Sequence, residues 1–445
     1  MSALAYSHGT SATPLLGETI GDNLRRMAAA TPDADCLVSC HQGIRMSYAE
    51  FDRAVDDLAA GLIDSGLAAG DRVGVWSPNR AEWTVLQYAT ARAGIILVTL
   101  NPAYRTSELE YAVRQSGCRV VVAISEFKGG DYAAMLAEIR PATPELERVV
   151  LFESPEWDAL ATGGPRLGHD AVHERAAALG SDDPINIQYT SGTTGFPKGA
   201  TLTHHNILNN GYFVGQRCGY TAADRVCIPV PFYHCFGMVM GNLGSTTHGA
   251  CMVIPAAAFD PQATLQAVQD ERCTSLYGVP TMFIAELATA DFESYDLSSL
   301  RTGIMAGSPC PVEVMKQVLN RMHMSEVTIC YGMTETSPVS TQTTADDTID
   351  QRVGTVGPVH PHVEVKIVDP ATGRTLHRDE PGELCTRGYS VMLGYWNDAD
   401  RTADAIDGAG WMHTGDLATM DGDGYVSIVG RSKDMIIRGG ENVYP

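Results

Sequence analysis

The sequence predicts an α/β fold: two helix-covered, mainly parallel sheets followed by a smaller β-rich, barrel-like subdomain. Three observations predict it. Helical and strand patterns alternate between Asp22 and Ile124, the alternation resumes from Pro184 to about Cys330, and after Thr343 the texture turns to short strands joined by tight turns. In the first stretch, Ser47 to Ser65 reads as a helix opened by a capping box of Ser47 and Glu50. Arg72 to Trp76 follows as a strand, Glu82 to Ala93 as a helix, and Ile95 to Thr99 as a strand. A further helix follows Thr106, and Arg119 to Ile124 is an apolar, β-branched strand. The polar, Gly- and Pro-bearing run from Glu138 to Gly180 reads as a seam. In the second stretch the strands are Ile185 to Tyr189, Arg225 to Val230, Thr274 to Tyr277 and Thr328 to Tyr331. His362 to Val368 and a hairpin over Leu417 to Gly430 represent the last. The expected organisation is a loose arm over 1–16, α/β subdomains over 17–180 and 181–340, a β-rich subdomain over 341–430, and a hinge over 431–445.

Composition removes several classes of function. A chain of 445 residues can bury a large core, so a small binding module is not expected. Fifty-three Asp plus Glu against 31 Lys plus Arg disfavour a nucleic-acid binder, although one basic pocket can still hold one nucleotide. No run of about 18 apolar residues could span a bilayer, and the N-terminus lacks the basic start and apolar core of a signal peptide. Eleven cysteines without a CxxC pair suggest neither a disulfide framework nor a zinc site, and reduced thiols point to the cytoplasm. A homo-oligomer is compatible with the sequence.

Chemistry concentrates in Tyr189 to Ala200, YTSGTTGFPKGA. An apolar strand runs into a loop bearing the hydroxyls of Thr190, Ser191, Thr193 and Thr194 together with Gly192, Gly195, Lys198 and Gly199. Polyphosphate binding uses these types: glycines let backbone N–H groups approach the oxygens, hydroxyls donate hydrogen bonds, and lysine balances charge. The loop is not a Walker A motif, because Pro197 and Gly199 stand where that motif needs glycine and Ser or Thr. A P-loop kinase or GTPase is therefore disfavoured.

The same segment resembles the phosphate loop of the adenylate-forming superfamily, which includes acyl-CoA synthetases, luciferases and peptide-synthetase adenylation domains. Further similar segments follow in order: PFYHCFG from Pro231, YGMTETSP from Tyr331, GELCTRG from Gly382, WMHTGD from Trp411 and GRSKDMIIRGGENVYP from Gly430. The resemblance implies the large N-terminal domain of an acyl-CoA synthetase, which uses ATP to turn a carboxylic acid into an acyl-adenylate and then a coenzyme A thioester. It implies that Thr190, Ser191, Gly192, Thr193, Thr194, Gly195 and Lys198 cradle the β- and γ-phosphates, that Thr334 contacts the α-phosphate, and that Glu335 holds Mg²⁺. Tyr331, Gly332 and Met333, with the turn at Gly307 and Ser308, are the implied adenine site. Asp416 and Arg431 are the implied ribose contacts, and Lys433 the hinge residue. The resemblance places His234 near the reacting carboxylate. Structural alternatives compete at single positions: a helix start for Thr334 and Glu335, a core tyrosine for Tyr331, an Asx turn for Asp416 and a satisfied core histidine for His234. His204 and His205 read as helix-start residues, because adjacent positions do not share a helix face.

Peptide-synthetase domains place an Asp after the Phe of their PFYH-like segment to hold an amino group; Tyr233 and His234 stand here, which disfavours amino-acid substrates. The expected pocket wall is Tyr233, His234, Gly237, Met238, Val279, Met282 and Met305. Flexible methionines suit flexible chains, so a medium-chain fatty acid is expected, with aromatic acids as the alternative. A non-catalytic nucleotide-binding relative and an ATP-hydrolysing or kinase-like enzyme are the readings from other classes. The sequence stops inside GGENVYP, where the family continues into a small domain of roughly a hundred residues that carries a lysine for the reacting groups. The chain is accordingly expected to be a truncated or engineered product that binds ATP or acyl-adenylate but turns over poorly.

Overall fold

The computed structural model describes residues 3–190, 197–431, 436–438 and 441–443. Its frame is two large mixed, mainly parallel sheets and one antiparallel sheet. In the seven-stranded sheet, Ile96–Thr99 lies between Arg72–Trp76 and Pro184–Thr190, both parallel to it. Val120–Ala123 and Arg148–Leu151 extend one side in parallel, while Lys198–Thr203 and Gly394–Tyr395 extend the other antiparallel. In the eight-stranded sheet, Ser275–Gly278, Thr302–Ala306 and Glu326–Gly332 are consecutive parallel neighbours, and Val339–Gln342 closes that edge antiparallel. The five-stranded antiparallel sheet contains Val363–Val368, Gly382–Gly388, Met412–Met420 and Val426–Arg431, and it is curled as the sequence predicts.

Local chemistry explains the elements. The helix Tyr48–Asp64 begins with the complete Ser47–Glu50 capping box and buries Phe51, Val55, Leu58 and Leu62 on its inner face. Such a cap contributes about 1 kcal/mol, and the apolar stripe supplies the rest by packing on the helix Ala81–Arg92. That second helix is buried nearly all round, because it lies between layers, and Arg92 is tolerated there through Asp52 and Asp56 at 2.5 and 2.7 Å. The central parallel strands are continuous β-branched and aliphatic runs, as strands covered on both faces must be.

Three expectations need correction. The N-terminal arm is no loose segment: Tyr6–His8 adds a strand to the five-stranded sheet, pairing with Glu364 to Lys366. The seam between Glu138 and Gly180 holds the strand Arg148–Leu151 and the helices Pro155–Ala161 and Asp170–Ala177. The large sheets also exchange strands across the expected linear boundary. Asp35–Ser39 and Ile44–Ser47 complete the eight-stranded sheet, while Pro184–Thr190 and Lys198–Thr203 belong to the seven-stranded one. Pairing is decided by which apolar faces meet, and sequence order constrains that only weakly. Among the described residues, no helix is long and apolar enough to cross a membrane.

Candidate active site

The glycine-rich loop is carried by a hairpin. Pro184–Thr190 and Lys198–Thr203 pair antiparallel, and Thr190 stands opposite Lys198, so both ends of the loop lie together at the C-terminal end of a parallel strand. Ligand sites of open α/β sheets form at such ends. Ser191, Gly192, Thr193, Thr194 and Gly195, expected to cradle phosphates, lie outside the described residues, as does Lys433. Lys198 is described: its Nζ sits over the ring of Tyr395 at 4.8 Å from the centroid. Strand pairing causes this contact, since Gly394–Tyr395 pairs with Ala200 and Thr201.

Tyr395 also reaches the next element of the site. Its Oη donates to Glu335 Oε1 at 2.8 Å. Thr334 and Glu335 are 8% and 5% exposed, in a short turn, Thr334–Thr336, that leaves the strand Glu326–Gly332. Met333, rather than Thr334, occupies the N-cap position of that turn, without a side-chain cap bond. The turn is held by Met392 N–H donating to Glu335 O at 2.9 Å and by Ser337 Oγ donating to Ser390 O at 2.6 Å. Gly332 is required by close approach, because a Cβ there would stand 1.7 Å from Pro338 O. Burial pushes the Tyr395 phenol far above its ordinary pKa, with the Glu335 charge second, so it stays a donor at every working pH.

Asp416 lies on the strand Met412–Met420 opposite Arg431. Its carboxylate accepts from Tyr331 Oη at 2.7 Å and pairs with Arg431 Nε at 3.3 Å. An Asx turn is thereby displaced as its explanation. A carboxylate has about four acceptor positions, so two uses leave capacity for hydroxyls. Burial first, and Asp416 second, keep the Tyr331 phenol well above its ordinary pKa. Gly307 and Ser308 are exposed at the end of Thr302–Ala306, the parallel neighbour of the strand that delivers Tyr331.

The PFYHCFG segment meets this assembly through Cys235. Burial first and the Glu335 charge next hold the Cys235 thiol above its ordinary range, and a hydrogen bond with Thr334 opposes them. His234 is no buried core histidine: its ring reaches solvent, yet it is crowded closely enough by protein to lower its pKa. A side chain facing a recess has both properties, and its Nδ1 accepts from Phe236 N–H at 3.3 Å. A π-helix, Phe236–Leu243, follows; such segments are rare and occur often at functional sites. Gly237 is forced there, because a Cβ would meet Pro231 O at 2.4 Å. Half-buried Tyr233 precedes His234.

The expected acyl wall is assembled in part. Val279 and Met282 pack against the hydrophobic cluster that contains Met238, and Val279 approaches the Gly307 turn. Met305 does not join them. Along Thr302–Ala306 alternate side chains face opposite sides, so Ile304 and Ala306 share the Met238 cluster while Met305 is buried with Phe283 and Met315 in another. Tyr395 was missed by sequence reasoning. Its one local signal is an aromatic next to Gly394, and only the strand pairing gives it meaning.

Comparison with known proteins identifies a family for the chain. The AMP-binding enzyme family matches residues 24–396. An acyl-CoA synthetase YngI of Bacillus subtilis, assigned that role provisionally, is 47% identical over 97% of this chain and 82% of its own length. The mitochondrial medium-chain acyl-CoA ligase ACSF2 of Danio rerio is 44% identical over 99% of this chain and 76% of its own. Among solved structures, the inhibitor-bound N-terminal domain of FACL13 from Mycobacterium tuberculosis superposes with a TM-score of 0.83 at 27% identity, covering 93% of this chain and 100% of that one. With a match over most of its length, the chain belongs to the AMP-binding enzyme family.

Proposed function

We propose that this chain forms the adenylation site of a medium-chain acyl-CoA synthetase. The observation that carries the proposal is the convergence of Lys198, Tyr395, Glu335 and the Tyr331–Asp416–Arg431 group around one turn. ATP gives the leaving group that a carboxylate lacks. A carboxylate oxygen attacks the α-phosphorus, the bond to the bridging oxygen breaks, and pyrophosphate departs. The coenzyme A thiol then attacks the acyl carbon, AMP leaves with the electron pair, and the thiol proton is released.

The roles follow from charge and position. Lys198 and Thr190, at the two ends of the glycine-rich hairpin, take the outer phosphates together with Ser191 to Gly195. Thr334 donates to the α-phosphate, where negative charge accumulates in the transition state. Glu335 is a hard oxygen donor beside that position and suits magnesium, which uses one or two carboxylates and keeps waters. A magnesium ion bound there would supply charge neutralisation for the triphosphate. Tyr331, Met333 and the Gly307–Ser308 turn flank the adenine, and Asp416 accepts from the ribose hydroxyls with Arg431 beside it. His234, neutral near pH 7, orients the acid. Tyr233, Gly237, Met238, Val279 and Met282 line the acyl pocket, a composition that fits the medium-chain relative. The cytoplasm is the compartment proposed for the chain, because eleven cysteines without a CxxC pair suit reduced thiols.

A panel of acids tests the proposal, with acid-dependent ATP–pyrophosphate exchange as readout and nucleotide products identified. Octanoate outrunning benzoate, with AMP and pyrophosphate formed, supports it. Benzoates outrunning octanoate would assign an aryl-acid ligase, and ADP as product would overturn adenylation altogether.

A further inference from the structure

The five-stranded sheet carries a second cluster of ligating side chains. Cys385 and His413 are direct cross-strand partners, and Glu383 lies two residues before Cys385 on the same face, beside a register shift. One donor atom of each lies within 4.8 Å of the others. His413 Nδ1 is 3.5 Å from Cys385 Sγ and 2.9 Å from Glu383 Oε2. Cys385 is fully buried and the other two half-buried.

We infer that Glu383, Cys385 and His413 form a three-ligand site for a zinc-class ion, with a fourth position open to water. Zinc bonds of about 2.3 Å to sulfur and 2.0 Å to nitrogen, at a tetrahedral angle, put those two atoms about 3.5 Å apart. That is the separation seen between Sγ and Nδ1. The shorter carboxylate contact is a hydrogen bond in the metal-free arrangement, and it opens by a few tenths of an ångström when an ion replaces the shared proton.

The surroundings are those of a ligating histidine. Nε2 of His413 faces Asp407 Oδ2 at 3.8 Å. Asp407 is itself anchored, its Oδ1 accepting from Ala409 and Trp411 N–H at 2.8 and 2.9 Å. An acid on the far nitrogen fixes the ring and raises its donor strength. Glu383 is divided likewise: Oε1 accepts from Gly415 N–H at 3.1 Å, leaving Oε2 toward His413. Nearby positive charge is partly committed elsewhere, since Lys366 and Arg387 stack on Trp411 at 4.3 and 4.5 Å. Burial, with Glu383 adding to it, pushes the Cys385 thiol up to about 12, so metal entry releases a proton. Chain spacing concealed the site, because Cys385 and His413 stand 28 positions apart. Gly415 immediately precedes Asp416, so an occupied site stiffens the strand that presents the ribose acceptor.

Cobalt(II) is the probe, because a thiolate ligand gives a sulfur-to-cobalt charge-transfer band that a plain Glu383–His413 ion pair cannot. The 445-residue chain carrying Cys40→Ser, which removes an exposed competing thiol, is titrated at pH 8. The expected result is one cobalt per chain with the charge-transfer band and tetrahedral d–d intensity, both displaced by zinc. Cys385→Ser removes the band, and His413→Gln weakens binding by about tenfold or more. Circular dichroism establishes that each variant is folded; should Cys385→Ser not fold, the affinity of His413→Gln decides. Absence of the band in the folded parent, its persistence in Cys385→Ser, or unchanged affinity in His413→Gln overturns the inference.

Discussion

Replacing Tyr395 by Phe removes one oxygen atom from the site and leaves the ring beneath Lys198. The lost hydroxyl donates at 2.8 Å to a carboxylate that is 5% exposed, from a side chain that is itself 7% exposed. A hydrogen bond to a charged acceptor is worth about 1.5–3 kcal/mol, a factor of about ten to one hundred and fifty in an equilibrium constant. The 4.8 Å ring contact with Lys198 is untouched. Tyr395 therefore keeps two opposite charges apart: its face holds the ammonium and its hydroxyl holds the carboxylate. Freed of that hydroxyl, Glu335 can turn toward Lys198, and both then face each other instead of the magnesium and phosphate proposed for them. The expected outcome is a Kd for MgATP, measured calorimetrically, about tenfold or more weaker, with a matching rise in the magnesium needed for half-saturation. Glu335→Gln should lose at least as much. An affinity within about twofold of the parent in Tyr395→Phe, beside a large loss in Glu335→Gln, would refute the reasoning.

Other perturbations probe neighbouring parts. Gly332→Ala would place a methyl 1.7 Å from Pro338 O, so the backbone between Tyr331 and Thr334 must shift; a lower thermal midpoint from about 1–3 kcal/mol of strain and loss of ATP binding are expected. Asp416→Ala strips Tyr331 Oη and Arg431 of their partner; the Kd for ATP should rise about tenfold or more, with Asp416→Asn between the two. Acid stability depends on His204, whose Nδ1 accepts from Ile20 N–H at 3.2 Å and whose pKa burial lowers to about 4 despite Asp183 and Asp22. The unfolded chain takes this proton near pH 6.5, the folded one only near 4, so the folded state loses about 3 kcal/mol as the pH falls through that window. His204→Gln should flatten the fall in thermal midpoint between pH 7 and 4.5, and identical pH profiles would contradict the assignment.

Much of this was legible in the sequence, and the misses have physical causes. The Ser47–Glu50 box and the strand Arg72–Trp76 were readable because caps and β-branched runs are local signals. Thr334, Glu335 and Asp416 could be singled out because their motifs fix residue type, and their roles stay proposals; the hydrogen bond from Tyr331 to Asp416 comes from the fold alone. Met305 was misplaced because composition does not reveal strand parity, and a shift of one position moves a side chain through the sheet. Tyr395 and Tyr6–His8 escaped notice because both owe their positions to pairing with strands distant in sequence. The ligating cluster at Cys385 was invisible for the same reason: cross-strand register, and not spacing, makes Cys385 and His413 neighbours.

The central claim, that these residues hold an acyl-adenylate, is tested most directly by calorimetric titration with a non-hydrolysable octanoyl-sulfamoyl-adenosine. Saturable binding of one molecule per chain, weakened about tenfold or more by Asp416→Ala, is the predicted result. No saturable binding by the folded chain, or an affinity indifferent to Asp416→Ala, would contradict it.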